Sequence, residues 1–463
     1  MTASVFHLDL SGVPALLLLG AVLACALYAA VRLLWRAKAA GPPPSRLPLT
    51  LPAAAQPLSP MECLRRYVRH PTRYCNAEEV ALLVDGRGAF PEMLAGIDAA
   101  QRSVDLETYM LRADATGARF QQALVRAAGR GARVRLTYDW IGSLGLADRF
   151  VHDLIEAGVD VRVYHPLALV RPPWAMNRRT HRKILLIDGR TAFTGGLNIA
   201  DDYASIEDGG KGWRDTHLRV DGAEAARRMW RLFEYAWRRA TPYRKSTARG
   251  ARLGAGIRRR FGRLRWRRTP AELLSGPPCA AGVPVKVLGN EEFRYRRRIR
   301  LAYLHAIDAA QRYVLIENAY FIPTGKVRRA LVRAARRGVV VAVVVTGHSD
   351  VPVTTYAMRH LYRELLEGGV RIFEWPQGMM HAKTAVIDDA WSIVGSYNFD
   401  HRSLIHQLEA AVAVADPAVA RALCSQTLAD IARCREVNLQ EHGRRPWLQR
   451  VLEVLAYGAR PWL

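Results

Sequence analysis

Two histidines in this chain are followed by the same spaced set of residues. His181-Arg182-Lys183 leads into the apolar run Ile184 to Ile187, then Asp188, and later Gly195-Gly196-Leu197-Asn198. His381-Ala382-Lys383 leads through Thr384 to Ile387 into Asp388, and later Gly395-Ser396-Tyr397-Asn398. In both, the asparagine lies 17 residues beyond the histidine. Imidazole serves as nucleophile or as general acid and base near neutral pH. Ammonium and amide groups offset charge on non-bridging phosphate oxygens as a transition state forms. Two such sets around one pocket suit a phosphate diester. One histidine attacks phosphorus, and the other protonates the leaving alcohol and deprotonates the incoming one. Cationic side chains do the work of a Lewis acid, so neither a metal nor another cofactor is expected. A lone H-x-K is commonplace at strand ends; the repeated set, each with its downstream glycine and asparagine, is not.

The elements that must position these groups can be read around them. Lys-Ile-Leu-Leu-Ile has the pattern of a buried strand, and residues two apart on a strand share a face, so His and Lys project together. Asp-Gly or Asp-Asp turns the chain into a returning strand that brings the glycine-flanked asparagine alongside. The duplication extends further. Ile97 to Arg102 recurs identically as Ile307 to Arg312, Glu107 corresponds to Glu317, and Ala123 to Ala128 recurs as Ala330 to Ala335. Helices are predicted over 90–102 and 118–130 and strands over 104–110 and 132–138, with the same order in the second copy. The fold class expected is α/β: two similar domains, each a mixed β-sheet flanked by helices, packed face to face. The divisions predicted are 1–40, 41–74, 75–237, 238–280, 281–440 and 441–463: anchor, Pro-rich linker, first domain, basic linker, second domain and tail.

The 463 residues are half hydrophobic, which supports large cores and excludes wholesale disorder. Lys and Arg number 68 against 42 Asp and Glu, a net charge of +26 suited to a polyanion, either nucleic acid or an anionic membrane face. Leu10 to Val31 contains no charged residue and is long enough to span a bilayer as one transmembrane helix. Arg32, Arg36 and Lys38 follow it, which places the catalytic bulk on the cytoplasmic side of the cell membrane as a single-pass protein. Residues 41–60 hold seven prolines, a stiff spacer. Residues 238–268 hold 13 Lys and Arg and no acid. That stretch is read equally as a solvated linker or as an arm whose Phe261, Leu264 and Trp266 dip into a membrane interface. The six cysteines show no C-x-x-C pairing and fit thiols in a reducing compartment.

With both sets in view, the sequence resembles the phospholipase D superfamily, whose signature is H-x-K-x4-D followed by G-(G/S)-x-N, twice per chain. The resemblance covers nearly all of residues 75–440. Within the superfamily it looks like the bacterial cardiolipin synthases, on Gly195 to Tyr203, Trp213 to His217, Tyr320 to Pro323 and Gly395 to Ser403. Two departures stand out. Gln407-Leu408-Glu409 replaces the usual Asn-x-Glu, and one N-terminal span stands where many relatives carry two.

The resemblance implies His181 as nucleophile and His381 as general acid and base, the reverse order remaining open. It implies Lys183, Lys383, Asn198 and Asn398 as phosphate ligands. Asp188 and Asp388 complete the catalytic motifs with a structural or orienting task. Glu409 is a candidate to hold an active-site histidine, and Glu107 and Glu317 to do similar work. The reaction implied is phosphatidyl transfer between two phosphatidylglycerols, giving cardiolipin and glycerol, with phosphatidylethanolamine open as a second donor. Partners expected are these phospholipids and an anionic membrane surface. Hydrolysis to phosphatidic acid at the same site, a nuclease on the same scaffold and a non-catalytic membrane binder are the rivals. The apolar span argues against the nuclease, and two complete catalytic sets argue against the mere binder. Oligomeric state and acyl-chain preference are not legible.

Overall fold

A computed structural model describes residues 49–53, 56–166, 177–243, 281–290 and 296–463. The apolar span at 10–31 and most of the basic stretch at 238–268 lie outside the described residues. Among the described residues, no helix is long and apolar enough to cross a membrane.

Each half builds one sheet. The first contains β1 (Glu79–Val84), β2 (Ser103–Thr108), β3 (Arg133–Asp139), β4 (Asp160–Tyr164), β5 (Ile184–Ile187), β6 (Thr191–Gly195) and β7 (Thr216–Asp221). The second contains β8 (Val283–Asn290), β9 (Tyr313–Asn318), β10 (Val340–Thr346), β11 (Arg371–Trp375), β12 (Lys383–Ile387), β13 (Trp391–Gly395) and β14 (Gln407–Val414). The strand orders are β4-β3-β2-β5-β6-β7-β1 and β11-β10-β9-β12-β13-β14-β8, the same order shifted by seven. In each, three parallel strands joined by helical crossovers meet an antiparallel meander at β2/β5 or β9/β12. The duplicated sequence thus folds as a duplicated mixed sheet.

The predicted elements are present with shifted ends. The first helix runs Asp85–Ala99 and contains Pro91 instead of starting beside it. Gly86 makes the early start possible, because a Cβ there would overlap the Tyr203 carbonyl. The second helix is Ala115–Gly129, capped by Asp114. These helices cover the outer face of the first sheet. Between the two sheets lie helices Ala223–Trp237 and Pro417–Ile431. Their apolar faces join Ile184, Leu186 and Leu218 of one sheet to Leu315, Val344 and Val386 of the other in a single core. The layering is helix, sheet, helix, sheet, helix.

Three domain divisions differ from the prediction. Cys75–Ala77 lies within the predicted first domain, yet it is a strand of the second sheet, paired with Val283–Val285. Within the predicted Pro-rich linker, Pro60–Tyr67 is a helix closed by a Ser59/Glu62 capping box. Its Cys63, Leu64 and Tyr67 are buried against Ile299 and Tyr303 of the second half. Proline at the first helical position is compatible with a helix, so proline content alone misleads there. Within the predicted tail, Trp447–Gly458 is a helix packed on helix Pro352–Glu367. Cys63, Cys75, Cys424 and Cys434 are free thiols.

Candidate active site

The two hairpins β5–β6 and β12–β13 bring their histidine ends to one cavity of about 290 Å³ between the halves. His181, Asn198, His381 and Asn398 line it, together with Tyr109, Tyr203, Trp213, Tyr320, Asp350 and Arg402. The halves are stitched by backbone at this point. Arg179-Thr180 pairs in parallel with Gln407-Leu408, and the His181 N–H donates to the Leu408 carbonyl at 2.9 Å. Symmetrically, Arg214 bridges to Met380, and the His381 N–H donates to the Arg214 carbonyl at 2.7 Å.

Each histidine is held by an acid from the other half. Nδ1 of His181 lies 3.1 and 3.2 Å from the Glu409 carboxylate oxygens and 3.1 Å from the Ser396 carbonyl. Nδ1 of His381 lies 2.7 Å from Oδ2 of Asp215. A carbonyl or carboxylate oxygen accepts only, so each Nδ1 carries a proton and each Nε2 is left to the cavity, to attack with its lone pair or to carry the second proton of an imidazolium. Glu409 is fixed by hydroxyl donors: Ser403 Oγ at 2.7 Å and Ser396 Oγ. The Gln407 amide oxygen stands 3.1 Å from the Ser403 hydroxyl.

Lys183 and Lys383 are buried directly behind the histidines. Each ammonium donates to the carbonyl of its own motif's histidine, Lys183 at 2.8 Å. That uses one of three N–H donors per ammonium. Burial pushes Lys183 down to about 7, assisted by the charge of Lys383, and burial pushes Lys383 down to about 8. Burial and then Lys183 push His181 down to about 4; His381 is also lowered, by burial, Lys383 and Lys183. The two desolvated ammonium groups, set beside the Glu409 and Asp215 carboxylates, would gain from the negative charge of a phosphate diester in the cavity. Asn198 is fixed, its amide donating to Tyr203 Oη at 2.6 Å and its Oδ1 accepting from the Met110 N–H at 3.1 Å. Oδ1 of Asn398 is buried without a hydrogen-bond partner.

The remaining expected site residues lie elsewhere. Asp188 and Asp388 are not at the cavity. They close the far ends of the hairpins with positive φ, 51° and 55°. Asp188 accepts the N–H groups of Gln101, Arg102 and Ser103, and Asp388 those of Gln311, Arg312 and Tyr313. Their placement is structural, not catalytic. Glu107 and Glu317 do not hold a histidine either. They accept from Thr180 and Thr384 hydroxyls. Burial raises Glu107 to about 7 and Glu317 to about 8. They occupy the central strands β2 and β9, separated by two strands of the same sheet from the acids that reach the histidines.

Asp215 was not singled out as a site residue from the sequence. It stands 20 residues beyond Gly195, whereas Glu409 stands 14 beyond Gly395, so six extra residues hide the equivalence. Register reveals it: Gly196 N–H donates to the Thr216 carbonyl as Ser396 N–H does to Ala410. Arg182 points away from the cavity and donates to the carbonyls of Glu409, Leu232 and Asn290 at 3.1, 2.8 and 2.9 Å. Arg214 pairs with Asp430 at 2.7 Å and Asp85 at 3.3 Å and lies 3.8 Å from Glu317. Among the described residues, no cluster of His, Cys, Asp and Glu could hold a metal.

Two half-sites with exchanged orienting acids define a duplicated, two-histidine phosphodiester scaffold. The sequence matches the family described as "Cardiolipin synthase, PLD-like domain" over residues 93–237 and 303–430, and the chain belongs to that family. It is 33% identical over 386 residues to cardiolipin synthase B of Shigella flexneri and to that of Escherichia coli, covering 82% of this chain and 87% of each relative. It is 30% identical to the major cardiolipin synthase of Bacillus subtilis, over 81% of this chain and 73% of that one. Among solved structures it is similar in fold to phosphatidylserine synthase of Haemophilus influenzae, with a TM-score of 0.63 at 13% identity, over 86% of this chain and 97% of that one.

Proposed function

We propose that this protein makes cardiolipin by phosphatidyl transfer between two phosphatidylglycerol molecules. The observation that carries the reading is the pair of histidines, each fixed through Nδ1 by an acid of the opposite half and presenting Nε2 to one cavity. His181 Nε2 attacks phosphorus of the first lipid. The P–O bond to the headgroup glycerol breaks, and His381, which enters the step as an imidazolium carrying a second proton on Nε2, gives that proton to the leaving oxygen and becomes neutral. The phosphatidyl group is then held as a phosphohistidine. The terminal hydroxyl of the second phosphatidylglycerol loses its proton to His381 and attacks phosphorus, and the P–N bond breaks. Lys183, Lys383, Asn198 and Asn398 offset charge on the non-bridging oxygens during both steps. Glu409 and Asp215 keep the tautomers and stabilise each imidazolium as it forms. The chain is anchored through the span at 10–31 with its catalytic halves on the cytoplasmic side, where phosphatidylethanolamine is a further candidate donor.

The test uses the full chain in mild detergent with phosphatidylglycerol as its lipid, following cardiolipin, phosphatidic acid and glycerol by mass spectrometry. Cardiolipin with matching glycerol, reduced by at least about a thousandfold in both His181→Ala and His381→Ala, is expected. Phosphatidic acid without cardiolipin would make the protein a hydrolase. Trapping the labelled intermediate in each variant identifies the nucleophile, since only loss of the attacking histidine abolishes labelling.

A further inference from the structure

Helix Trp447–Gly458 is apolar on two faces. Leu452 and Ala456 are buried toward the body of the protein. On the other side Trp447 (74% exposed), Leu448, Val451, Val454 (55% exposed) and Leu455 are bare. At 100° per residue these five fall within a sector of about 120°. A helix apolar all round belongs inside something, and a contiguous bare stripe of this kind marks a contact surface. The sole acid between residues 444 and 463 is Glu453, which is buried and paired with Arg445. Arg444, Arg450 and Arg460 are exposed around the stripe.

The stripe leads to the active site. Beyond the helix, Trp462 is 73% exposed, and Trp462 and Leu463 also line the catalytic cavity. Other bare apolar side chains lie on the cavity wall or on loops joined to it. Val351 lines the cavity, Leu144 sits in the loop packed on Tyr109, and Ile206 sits in the loop between the lining residues Tyr203 and Trp213. A protein seated on this surface would obstruct the mouth, whereas a bilayer would deliver substrate through it. The cavity has room for a headgroup and not for two long acyl chains, which must therefore rest on something apolar outside.

We propose that helix Trp447–Gly458 and Trp462 dock into the interface of a phospholipid bilayer, seating the cavity mouth on the lipid surface. Tryptophans at the headgroup level, aliphatic side chains below them and arginines reaching phosphates are the chemistry of an interfacial helix. This inference rests on the lipid-transferase reading above, and it assigns membrane contact to a segment distinct from the span at 10–31 and from the basic stretch at 238–268.

The test is depth-dependent quenching in the full chain, reconstituted in vesicles of phosphatidylglycerol and phosphatidylcholine carrying brominated acyl chains. One fluorescent probe is placed at Val454→Cys and a control at Arg126→Cys, with Cys25, Cys75 and Cys279 replaced by Ser. Arg126 is exposed near the C-terminus of helix Ala115–Gly129, the end away from the cavity. The Val454 probe is expected to be quenched and the Arg126 probe not. In Trp447→Glu/Val454→Glu, turnover of vesicle lipid is expected to fall about tenfold, while turnover of a short-chain, dissolved phosphatidylglycerol stays within about twofold. The proposal is overturned if the Val454 probe is quenched no more than the control, including when paired Val454→Cys chains cross-link because a second copy covers the helix. Quenching does not depend on turnover, so a parent chain that makes no cardiolipin would sink the transferase reading while leaving the docking result intact.

Discussion

The two halves hold each other's histidine by different means. The first half reaches His381 with Asp215, a short acid, and keeps Gly196 where a Cβ would overlap that carboxylate. The second half reaches His181 with the longer Glu409 and places Ser396 at the equivalent position, its hydroxyl bonded to Glu409. Glycine with aspartate and serine with glutamate thus fill equivalent space. The support differs in distance: the Glu409 oxygens stand 3.1 and 3.2 Å from Nδ1 of His181, the Asp215 oxygen 2.7 Å from Nδ1 of His381, while a backbone bond to the residue after the motif glycine, Ser396 or Gly196, backs each ring. A duplicated fold can keep its strand order while its two half-sites diverge in how firmly each catalytic group is fixed.

Breaking the tighter contact should cost most. Asp215→Asn can present an amide N–H to His381 and force the wrong tautomer, so kcat for transfer is expected to fall roughly 10³- to 10⁴-fold. Glu409→Gln breaks a longer contact, 3.1 Å against 2.7 Å, and a smaller fall of about 10²-fold is expected. Steady-state kinetics of both variants on the same phosphatidylglycerol preparation checks the order. Equal losses would mean that the difference in contact distance carries no weight.

The halves differ equally in their buried arginines. Glu317 of the second half faces Arg214, which comes from the first, while the cations that act on Glu107 are Arg182 and Lys183 of its own half. Arg214→Met strands buried Asp430 without its cation, and a loss of about 3–5 kcal/mol is expected in denaturant unfolding. Arg182→Met frees three backbone carbonyls, each also within a larger network, and is expected to cost less, about 1–3 kcal/mol. The reverse order would place the interface's stability in backbone stitching instead of charge.

Lys183 and Lys383 sharpen the comparison through pH. Their ammonium groups are held at about 7 and about 8, so raising pH through that window removes positive charge from the cavity. Affinity for an anion must then fall as pH rises. Sulfate, whose charge is constant over the range, is expected to inhibit about tenfold more weakly at pH 9 than at pH 6. Lys183→Met should flatten the lower part of that profile and Lys383→Met the upper part. A pH-independent inhibition constant in the parent chain would remove the lysines from anion binding.

Much of this site was legible because hairpins are local. The 17-residue step from His to Asn spans one strand, a tight turn and one returning strand, so spacing alone brings those groups together. Glu409 is marked by the resemblance, as the acid of the family's Asn-x-Glu pattern, read here as Gln407-Leu408-Glu409. Asp215 could not be singled out, because the loop at 201–213 separates it from its motif, and only strand register restores the correspondence. Glu107 and Glu317 were misread for a related reason. They sit on the strands hydrogen-bonded to β5 and β12, but which neighbour a central-strand acid meets depends on side-chain direction across the sheet. Cys75–Ala77 exchanged sheets because pairing with β8 is a long-range contact that nothing in three residues of sequence encodes.

The smallest expected effect is also the most direct test of the divergence. Ser396→Gly gives the second half the first half's backbone residue while keeping the longer acid. Glu409 loses one hydroxyl donor and retains Ser403 Oγ, so the carboxylate gains freedom without leaving His181. A net hydrogen bond of this kind is worth about 1 kcal/mol, and transfer is expected to slow by about fivefold or less. The reciprocal Gly196→Ser must displace Asp215, since its Cβ would occupy the place of that carboxylate, and its loss should approach that of Asp215→Asn. If both exchanges prove mild, the Asp215 loop is free enough to move, and the fixed geometry of His381 resides in the backbone bond to Arg214 instead. If Ser396→Gly is the severe one, the serine hydroxyl orients Glu409 by itself, and the second half-site is the more tightly built of the two.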